Sequence, residues 1–173
     1  MSLLEEVIGS FRSQKRLADR AIDQLDEGEF NTTLGDEGNS IATICQHVAG
    51  NQRSRWTDFL TTDGEKPDRH RDEEFEPSGA PRGEILDRWE EGWAILFQTL
   101  ESLTEEDLSK TVTIRGEAHT VTKALLRQVS HYGYHVGQIV QLARVLRGPH
   151  WETLSIARGQ SEAYNAEMRG KSS

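Results

Sequence analysis

Apolar residues recur at steps of three and four in four separate segments of the chain, a spacing that places them on one face of an α-helix. The first segment covers residues 3–25, with charged residues outside the apolar stripe, and the polar, glycine-bearing stretch 26–39 ends it. Ser40 is a favoured N-cap residue for a second helix, which is predicted to run to about Leu60.

The other two helical segments lie in the second half of the chain. One is predicted to begin near Pro81, a favoured first-turn residue, and to end near Leu103. The other is predicted to run from about Thr122 to Arg147, where a glycine–proline pair stops it. Between them, residues 104–107 read Thr-Glu-Glu-Asp and are predicted to form a short capped turn.

The segment KTVTIRGEAHTV alternates apolar and polar residues, which is the pattern of a β-strand. Val112 and Ile114 share one face and Gly116 is placed at a turn, so a small β-hairpin is predicted just before the last long helix. Residues 150–173 are predicted to form a short helix or an arm packed on the body. Together these elements predict one all-α domain over residues 1–173, a four-helix bundle with a β-hairpin and a C-terminal arm.

A long connection, residues 61–80, separates the second and third helices and is rich in charge, proline and glycine. It exceeds the usual length of a connection, and loops of this kind are often functional or disordered. Its acidic run RDEEFEP lacks the D-x-D-x-D-G spacing of a calcium loop, so we predict that these acidic residues are solvated.

The chain carries 20 lysines and arginines against 29 aspartates and glutamates, a formal net charge of −9. Such an acidic surface repels phosphate backbones and argues against nucleic-acid binding. A single cysteine, Cys45, forbids an internal disulfide and suits a reducing compartment. No apolar run approaches the ~20 residues of a membrane-spanning helix, and the N-terminus lacks the basic start of a signal peptide. A cytoplasmic protein without membrane contact is predicted.

Two of the six histidines, His131 and His135, stand four residues apart in the last predicted helix. That step puts both imidazoles on one helix face, close enough to reach one metal ion. The same face continues through Ile139, Leu142 and Leu146, so the pair is predicted to face the core. An imidazole in a core can also be satisfied by a carbonyl or hydroxyl without any metal, and the pair alone leaves that alternative open.

A third histidine, His47, lies at the edge of the inward face of the second helix. Since bundle metal sites are built from inward side chains of facing helices, the second and fourth helices can present three imidazoles to one point. The remaining histidines, His70, His119 and His150, lie in the loop, in the hairpin and beyond the last long helix. They are predicted to be solvated and without a direct role.

The order of these elements resembles the DinB/YfiT-like superfamily of small four-helix-bundle proteins. Its mark is one histidine in the second helix and an H-x-x-x-H pair in the last bundle helix, followed here by Val-Gly-Gln-Ile. The resemblance covers about residues 3–169. The stretches CQHVAGNQRSRWTDFLTTDGEK and WETLSIARGQSEAYN are similar to one DinB-like subfamily of unknown function.

This resemblance implies a divalent metal ion held by His47, His131 and His135 in a homodimeric protein. Some superfamily members transfer groups or isomerise substrates with a low-molecular-weight thiol such as bacillithiol, mycothiol or glutathione, and others have been labelled metal-dependent hydrolases. The implied activity is that of a metal-dependent transferase or hydrolase acting on a small molecule. The rival hypothesis is a non-catalytic, dimeric metal-binding or stress-associated protein.

Three neutral nitrogen ligands leave a coordination position open for water or substrate, as in catalytic metal sites. A metal there can generate a hydroxide for hydrolysis or hold a thiol as a thiolate nucleophile, and both need only the three ligands and a cavity. Zinc or nickel suits an all-nitrogen site best, with iron or manganese also compatible. Cys45 precedes His47 by two residues, points to another side of the helix and is predicted to be a small core residue.

Four further polar residues share the predicted faces of these ligands: Asn51, Gln128, Tyr134 and Gln138. Asn51, Gln128 and Gln138 are candidates to orient a ligand ring or a bound water, and Tyr134 to supply a hydroxyl to substrate. The alternative interpretation is that they are polar residues where the bundle opens to solvent, or packing in the case of Tyr134.

Two other groups have open interpretations. Arg53, Arg55 and Asp58, at the end of the second helix, are candidates to anchor the long loop or to bind an anionic substrate. Because charges on a helix edge are usually solvated, the structural interpretation is preferred. Trp89 and Trp93, four residues apart in the third helix, suit a shared apolar face between two protomers and core packing equally well.

Overall fold

The computed structural model describes residues 2–171, which form six α-helices, three 3₁₀ turns and one two-stranded sheet. The helices are α1 (Leu3–Ile22), α2 (Glu27–Asn31), α3 (Ile41–Trp56), α4 (Arg82–Ser102), α5 (Val121–Arg147) and α6 (Ser161–Lys171). The strands are β1 (Thr111–Ile114) and β2 (Glu117–Thr120), and the 3₁₀ turns are Arg71–Phe75, Glu105–Ser109 and Gly148–His150. The fold is mostly helical, and none of the helices in this part of the chain is both long and apolar enough to cross a membrane.

The long helices begin and end where the sequence provides caps. Ser2, Ser40 and Thr120 each accept a hydrogen bond from the backbone N–H three residues on, which satisfies one free donor of α1, α3 and α5. Pro81 is the N-cap of α4. Gly148, with a φ of 51°, ends α5 as predicted.

Two predicted boundaries were wrong. The first helix ends early and is followed by α2, because the Asp26 side chain accepts the Glu29 N–H at 2.8 Å while the Glu29 carboxylate caps the Asp26 N–H in return. The helix α3 ends at Trp56, before the predicted position, since Thr57 is extended and Asp58 has a positive φ of 50°.

The four long helices surround an aromatic core. The helix α3 packs against α4 and α5, and α1 packs against the same two helices. Between them the rings of Phe11, Trp56, Trp93 and Tyr132 contact one another, with centroids 5.7–6.5 Å apart. All four are buried, and so is Trp89, so both tryptophans of α4 lie in the core of a single chain.

The predicted hairpin is confirmed. Strands β1 and β2 pair antiparallel and are joined by Arg115 and Gly116, whose φ values of 55° and 76° give a two-residue turn that matches the twist of the strands. Val112 and Ile114 face the core. The prediction that His119 is solvated was wrong, because it pairs with Val112 and lies buried on the same inward face.

The C-terminal segment divides into two parts. Trp151 and Leu154 are half-buried and pack against the hydrophobic core, as an arm would. The helix α6 has no buried residue, and its apolar side chains Tyr164 and Met168 are exposed. Both predicted alternatives are therefore found in residues 150–171: α6 is a short helix, and the segment next to α5 is an arm on the body. Residues 172 and 173 of that prediction lie outside the described residues.

Candidate metal centre

Three histidines meet between α3 and α5, and we call His47, His131 and His135 the histidine cluster. The Nε2 atom of His131 lies 3.2 Å from Nε2 of His135 and 3.5 Å from Nε2 of His47. One ring nitrogen of each residue lies within 4.8 Å of those of the other two. The structure thus brings together the three residues that the sequence predicted as ligands, two of them buried and His131 half-buried.

Hydrogen bonds at the far side of two rings decide which nitrogens face the cluster centre. His47 Nδ1 lies 2.9 Å from the Glu74 carboxylate, and His135 Nδ1 lies 2.9 Å from the side-chain oxygen of Gln138. Because an oxygen acceptor holds the ring proton on Nδ1, the Nε2 atoms of both residues turn lone pairs toward His131. The opposite nitrogen of His131, Nδ1, is buried and without a hydrogen-bond partner among the described residues.

The rings of the α5 pair are held in the neutral form. Burial, followed by the neighbouring charges of His135 and His47, lowers the pKa of His131 to about 3. Burial and the neighbouring His47 lower the pKa of His135 to about 4. Since a histidine binds metal through a deprotonated nitrogen, both rings are in the metal-binding form at neutral pH.

A carboxylate from the long loop fixes the third ring. Burial alone would raise the pKa of Glu74, but hydrogen bonds from His47 and Arg69, together with the Arg69 charge, lower it below its ordinary value. Arg69 donates hydrogen bonds to both oxygens of Glu74, with N–O distances of 2.8 Å and 2.7 Å. A carboxylate that receives the Nδ1 proton of a ligand histidine orients the ring and increases its basicity.

Sequence reasoning missed Glu74, since it predicted that the acidic run of the loop is solvated. Glu74 is buried instead, because α3 leaves room for it at Gly50, where a Cβ would lie 2.3 Å from Glu74 Oε1. A glycine in the middle of a helix, three residues after a candidate ligand, was the available signal of such a close approach. Phe75 from the same 3₁₀ turn also packs on the His47 ring, with centroids 4.5 Å apart.

The four other candidate residues fall into two groups. Gln138 contacts the His135 ring and donates its amide to the Tyr134 hydroxyl at 3.1 Å, while Tyr134 is 62% exposed. Asn51 and Gln128 are buried but bond to Tyr132 and not to a histidine.

Asn51 and Gln128 belong to a separate polar group, which we call the tyrosine network (Asn51, Trp56, Gln128 and Tyr132). Trp56 Nε1 donates to the Tyr132 hydroxyl at 3.0 Å, and that hydroxyl donates to Asn51 Oδ1 at 2.9 Å. Gln128 Nε2 donates to the same oxygen at 3.0 Å. The network links α3 and α5 next to the histidine cluster, since the ring centroid of Tyr132 lies 5.4 Å from that of His131.

The remaining candidates for metal chemistry lie elsewhere. Cys45 is buried, and burial raises the pKa of its thiol, as expected of a core residue. His70 and His150 are exposed, as predicted. Arg55 does not lie on a solvated face, since only 3% of it is exposed, and its contact with Glu65 fits the alternative that it anchors the long loop.

A cavity of about 190 Å³ opens beside the cluster. His47 and His131 line it, together with Asn51, Gln128 and a group of arginines that includes Arg55. A larger groove of about 970 Å³ runs past Glu74 along α3 and α4, but none of the three histidines lines it. The smaller cavity is therefore a space in which a molecule can reach His47 and His131.

The chain matches the model of a protein family described as a protein of unknown function, DUF1572, over residues 1–160. Among solved structures it is similar to a conserved protein from Enterococcus faecalis, with a TM-score of 0.65 and 18% sequence identity. That likeness covers 86% of this chain and 99% of the other, and at such identity it shows the fold alone. No curated protein matches the chain.

Proposed function

The chain belongs to DUF1572, a family of proteins of unknown function, and from its site we propose that it is a metal-dependent enzyme acting on a small molecule. His47, His131 and His135 hold one divalent ion in this proposal, with zinc or nickel preferred and iron or manganese compatible. The observation that carries it is the meeting of three Nε2 atoms, two of which are fixed as lone-pair donors.

A cation is the group that satisfies this arrangement. A proton on Nε2 of His131 can bond to one facing lone pair at a time, and the other stays without a donor. Buried acceptors without a partner cost free energy, whereas a divalent ion accepts all three nitrogens at once. The Glu74 carboxylate behind His47 and the Gln138 amide behind His135 are the supports that histidine ligands commonly have.

The cavity beside the cluster favours an enzyme over a non-catalytic binder. A divalent ion held by three neutral imidazoles keeps an open position, where it lowers the pKa of a bound water or thiol. Glu74 and Arg69 hold the His47 ring in place, and the cavity admits a small molecule next to His47 and His131. Cys45 is buried in the core, so the nucleophile is the group that the metal activates, and not this side chain.

The resemblance to the DinB/YfiT-like superfamily supports the same assignment at a finer level. It favours a four-helix bundle, to which the mutual packing of α1, α3, α4 and α5 is suited. It also favours a homodimer and, as the two candidate reactions, thiol-dependent group transfer and hydrolysis. Light scattering should give about twice the 19.5 kDa of one chain, and a value near 19.5 kDa would contradict the dimer.

Metal analysis tests the site itself. The wild-type protein, dialysed against zinc or nickel, should retain about one ion per chain, and His131→Ala should lose it while circular dichroism shows the helices intact. His70→Ala is the matched control, because His70 is exposed and outside the cluster. Wild-type metal content in a variant with all three cluster histidines changed to alanine would overturn the proposal.

Activity screening tests the enzyme claim. The metal-loaded protein should turn over either a thiol with an electrophilic acceptor or an ester or amide, and a chelator should abolish that turnover. Metal bound at full occupancy with no turnover in either panel would instead support the non-catalytic alternative.

A further inference from the structure

The cavity beside the histidine cluster has a charge opposite to that of the whole protein. Its lining contains five arginines, and no aspartate or glutamate of the described chain lines it. The five are Arg55, Arg69, Arg71, Arg115 and Arg127. In a chain of net charge −9, this local excess of guanidinium groups favours an anion in the cavity.

Three of these arginines form ion pairs of 3.6 Å or less with carboxylates. Arg69 and Arg115 both form ion pairs with Glu65, at 3.0 Å and 3.4 Å. Arg71 lies 3.6 Å from Asp72. Arg55 and Arg127 are the two lining arginines without so close a carboxylate.

Arg55 is buried, and two of its guanidinium nitrogens lack hydrogen-bond acceptors among the described residues. It is 3% exposed, and its Nε and Nη1 atoms have no hydrogen-bond partner in residues 2–171. Its ion-pair contact, from Nη2 to Glu65, is long at 3.8 Å. A Cβ at position 64 would lie 2.7 Å from Nη1, so the absence of a side chain at Gly64 makes space for the guanidinium. Buried N–H groups on a charged side chain are costly unless a ligand accepts them.

Arg127 supplies a second charge from the helix that carries the histidine pair. It stands four residues before His131, so the two side chains share one face of α5. It is exposed, and none of the ion pairs in the described chain includes it. Arg127 therefore brings an uncompensated guanidinium to the mouth of the cavity in which Arg55 is buried.

Resting on the proposed function, we propose that the substrate is a small anion whose charged group binds Arg55 and Arg127 while its reacting end lies at His47 and His131. The cavity volume of about 190 Å³ equals that of roughly six water molecules. It accommodates a carboxylate or a tetrahedral oxyanion with a few further atoms. The oxygen of Asn51 is engaged by Tyr132 and Gln128, so its Nδ2 group is the part that can donate to the same anion.

Calorimetric titration of sulfate into the metal-free protein at constant ionic strength tests this site without any substrate. Sulfate should bind, whereas dimethyl sulfone, an uncharged molecule of similar tetrahedral shape, should not. Arg127→Gln should weaken sulfate binding about tenfold through loss of one charged hydrogen bond. Arg144→Gln is the matched control, because Arg144 is exposed on the same helix and does not line the cavity. Arg55→Met should also weaken binding, with circular dichroism confirming that this buried variant is folded.

The outcomes separate the anion site from the metal site. Equal sulfate affinity in wild type, Arg127→Gln and Arg55→Met would overturn the anion site, and so would equal binding of dimethyl sulfone. No sulfate binding by a protein that retains zinc would overturn the inference and leave the metal site standing. Sulfate binding that depends on Arg127, in a protein that does not bind zinc, would support the anion site and overturn the proposed function alone.

Discussion

The tyrosine network and the histidine cluster are neighbours between α3 and α5, yet they differ in how far their polar atoms are paired in hydrogen bonds. In the tyrosine network donors meet acceptors in a chain, from Trp56 Nε1 to the Tyr132 hydroxyl and from that hydroxyl to the oxygen of Asn51. In the histidine cluster the Nε2 atoms of His47 and His135 both lie within 3.5 Å of Nε2 of His131. The hydrogen bonds at Nδ1 of His47 and His135 fix their Nε2 atoms as acceptors. The hydrogen bonds of the first group are made within the protein, whereas in our proposal a cation binds the facing nitrogens of the second.

In our proposal, the difference separates buried polar groups that stabilise the fold from those that bind a ligand. A satisfied buried network contributes to stability and specifies how the helices pack. A buried group that lacks partners costs stability and is retained where function requires it. Arg55, with two unbonded donors beside the cluster, belongs with the histidines in this comparison. Variants of the two groups should therefore change different measured properties.

The largest expected effect is on the stability of the metal-free protein in acid. The pKa values of His131 and His135, about 3 and 4, lie below the 6.5 of an unfolded chain. Between those values the unfolded chain binds more protons, so the free energy of unfolding should fall as pH falls from about 6.5 toward 4. Allowing for water access to the half-buried His131, the loss is on the order of 2–3 kcal/mol.

Denaturant titrations at pH 7 and pH 4.5 measure this loss. The variant with asparagine at both His131 and His135 should lose clearly less stability over that interval, and His150→Asn, an exposed control, should behave like wild type. An identical pH dependence in wild type and the double variant would show that the cluster is not held neutral.

Glu74→Gln should reduce metal affinity while the helices stay folded, although the lost charge in the buried ion pair with Arg69 should also lower the free energy of unfolding. Glutamine has nearly the same shape as glutamate but cannot take the His47 proton as a carboxylate does, so metal affinity should fall about 10- to 100-fold. Competition with a chromophoric chelator measures the affinity, and thermal unfolding of the metal-free protein checks stability. Glu73→Gln, an exposed neighbour, is the control. A large loss of stability with unchanged affinity would assign Glu74 to the fold alone.

Tyr132→Phe should lower stability and leave metal affinity nearly unchanged. Removing the hydroxyl leaves the buried Trp56 Nε1 without its acceptor, which should cost about 1–2 kcal/mol of unfolding free energy. Metal affinity should stay within about threefold of wild type, since neither atom of that bond reaches a histidine nitrogen. Urea denaturation measures the stability, and the same chelator competition measures the metal affinity. A fall in metal affinity as large as that of Glu74→Gln would show that the tyrosine network and the histidine cluster are not separate.

The smallest expected effect compares two helical glycines. Gly9→Ala on α1 meets nothing within 4 Å and should raise stability by up to about 1 kcal/mol. Gly50→Ala gains the same helix propensity but places a methyl group 2.3 Å from Glu74 Oε1, so it should displace that carboxylate and weaken metal binding. Equal metal affinity in both variants would show that Gly50 does not make room for the carboxylate.

Local spacing was enough to predict most of the helices and the histidines. The periods of α1, α3, α4 and α5, the cap at Ser40, the stop at Gly148 and the four-residue step from His131 to His135 all depend on residues near one another in the chain. The facing position of His47 also followed, because inward residues of packed helices meet.

The parts that could not be predicted depend on the long loop. Glu74 reaches His47 across 27 residues, and no local pattern distinguishes it from the acidic residues beside it. Arg55 stands at a helix end, where charges are usually solvated, yet Gly64 and its neighbours pack over it. In both cases a contact between the loop and α3, distant in sequence, buries a charged residue that would ordinarily be exposed.

X-ray absorption at the metal edge of the zinc-loaded protein tests the central claim most directly. We predict about one zinc per chain with three imidazole nitrogens at about 2.0–2.1 Å and one further light ligand, and the loss of this signal in His131→Ala. A spectrum with sulfur ligation, or one without the multiple scattering of three imidazoles, would contradict the proposed site.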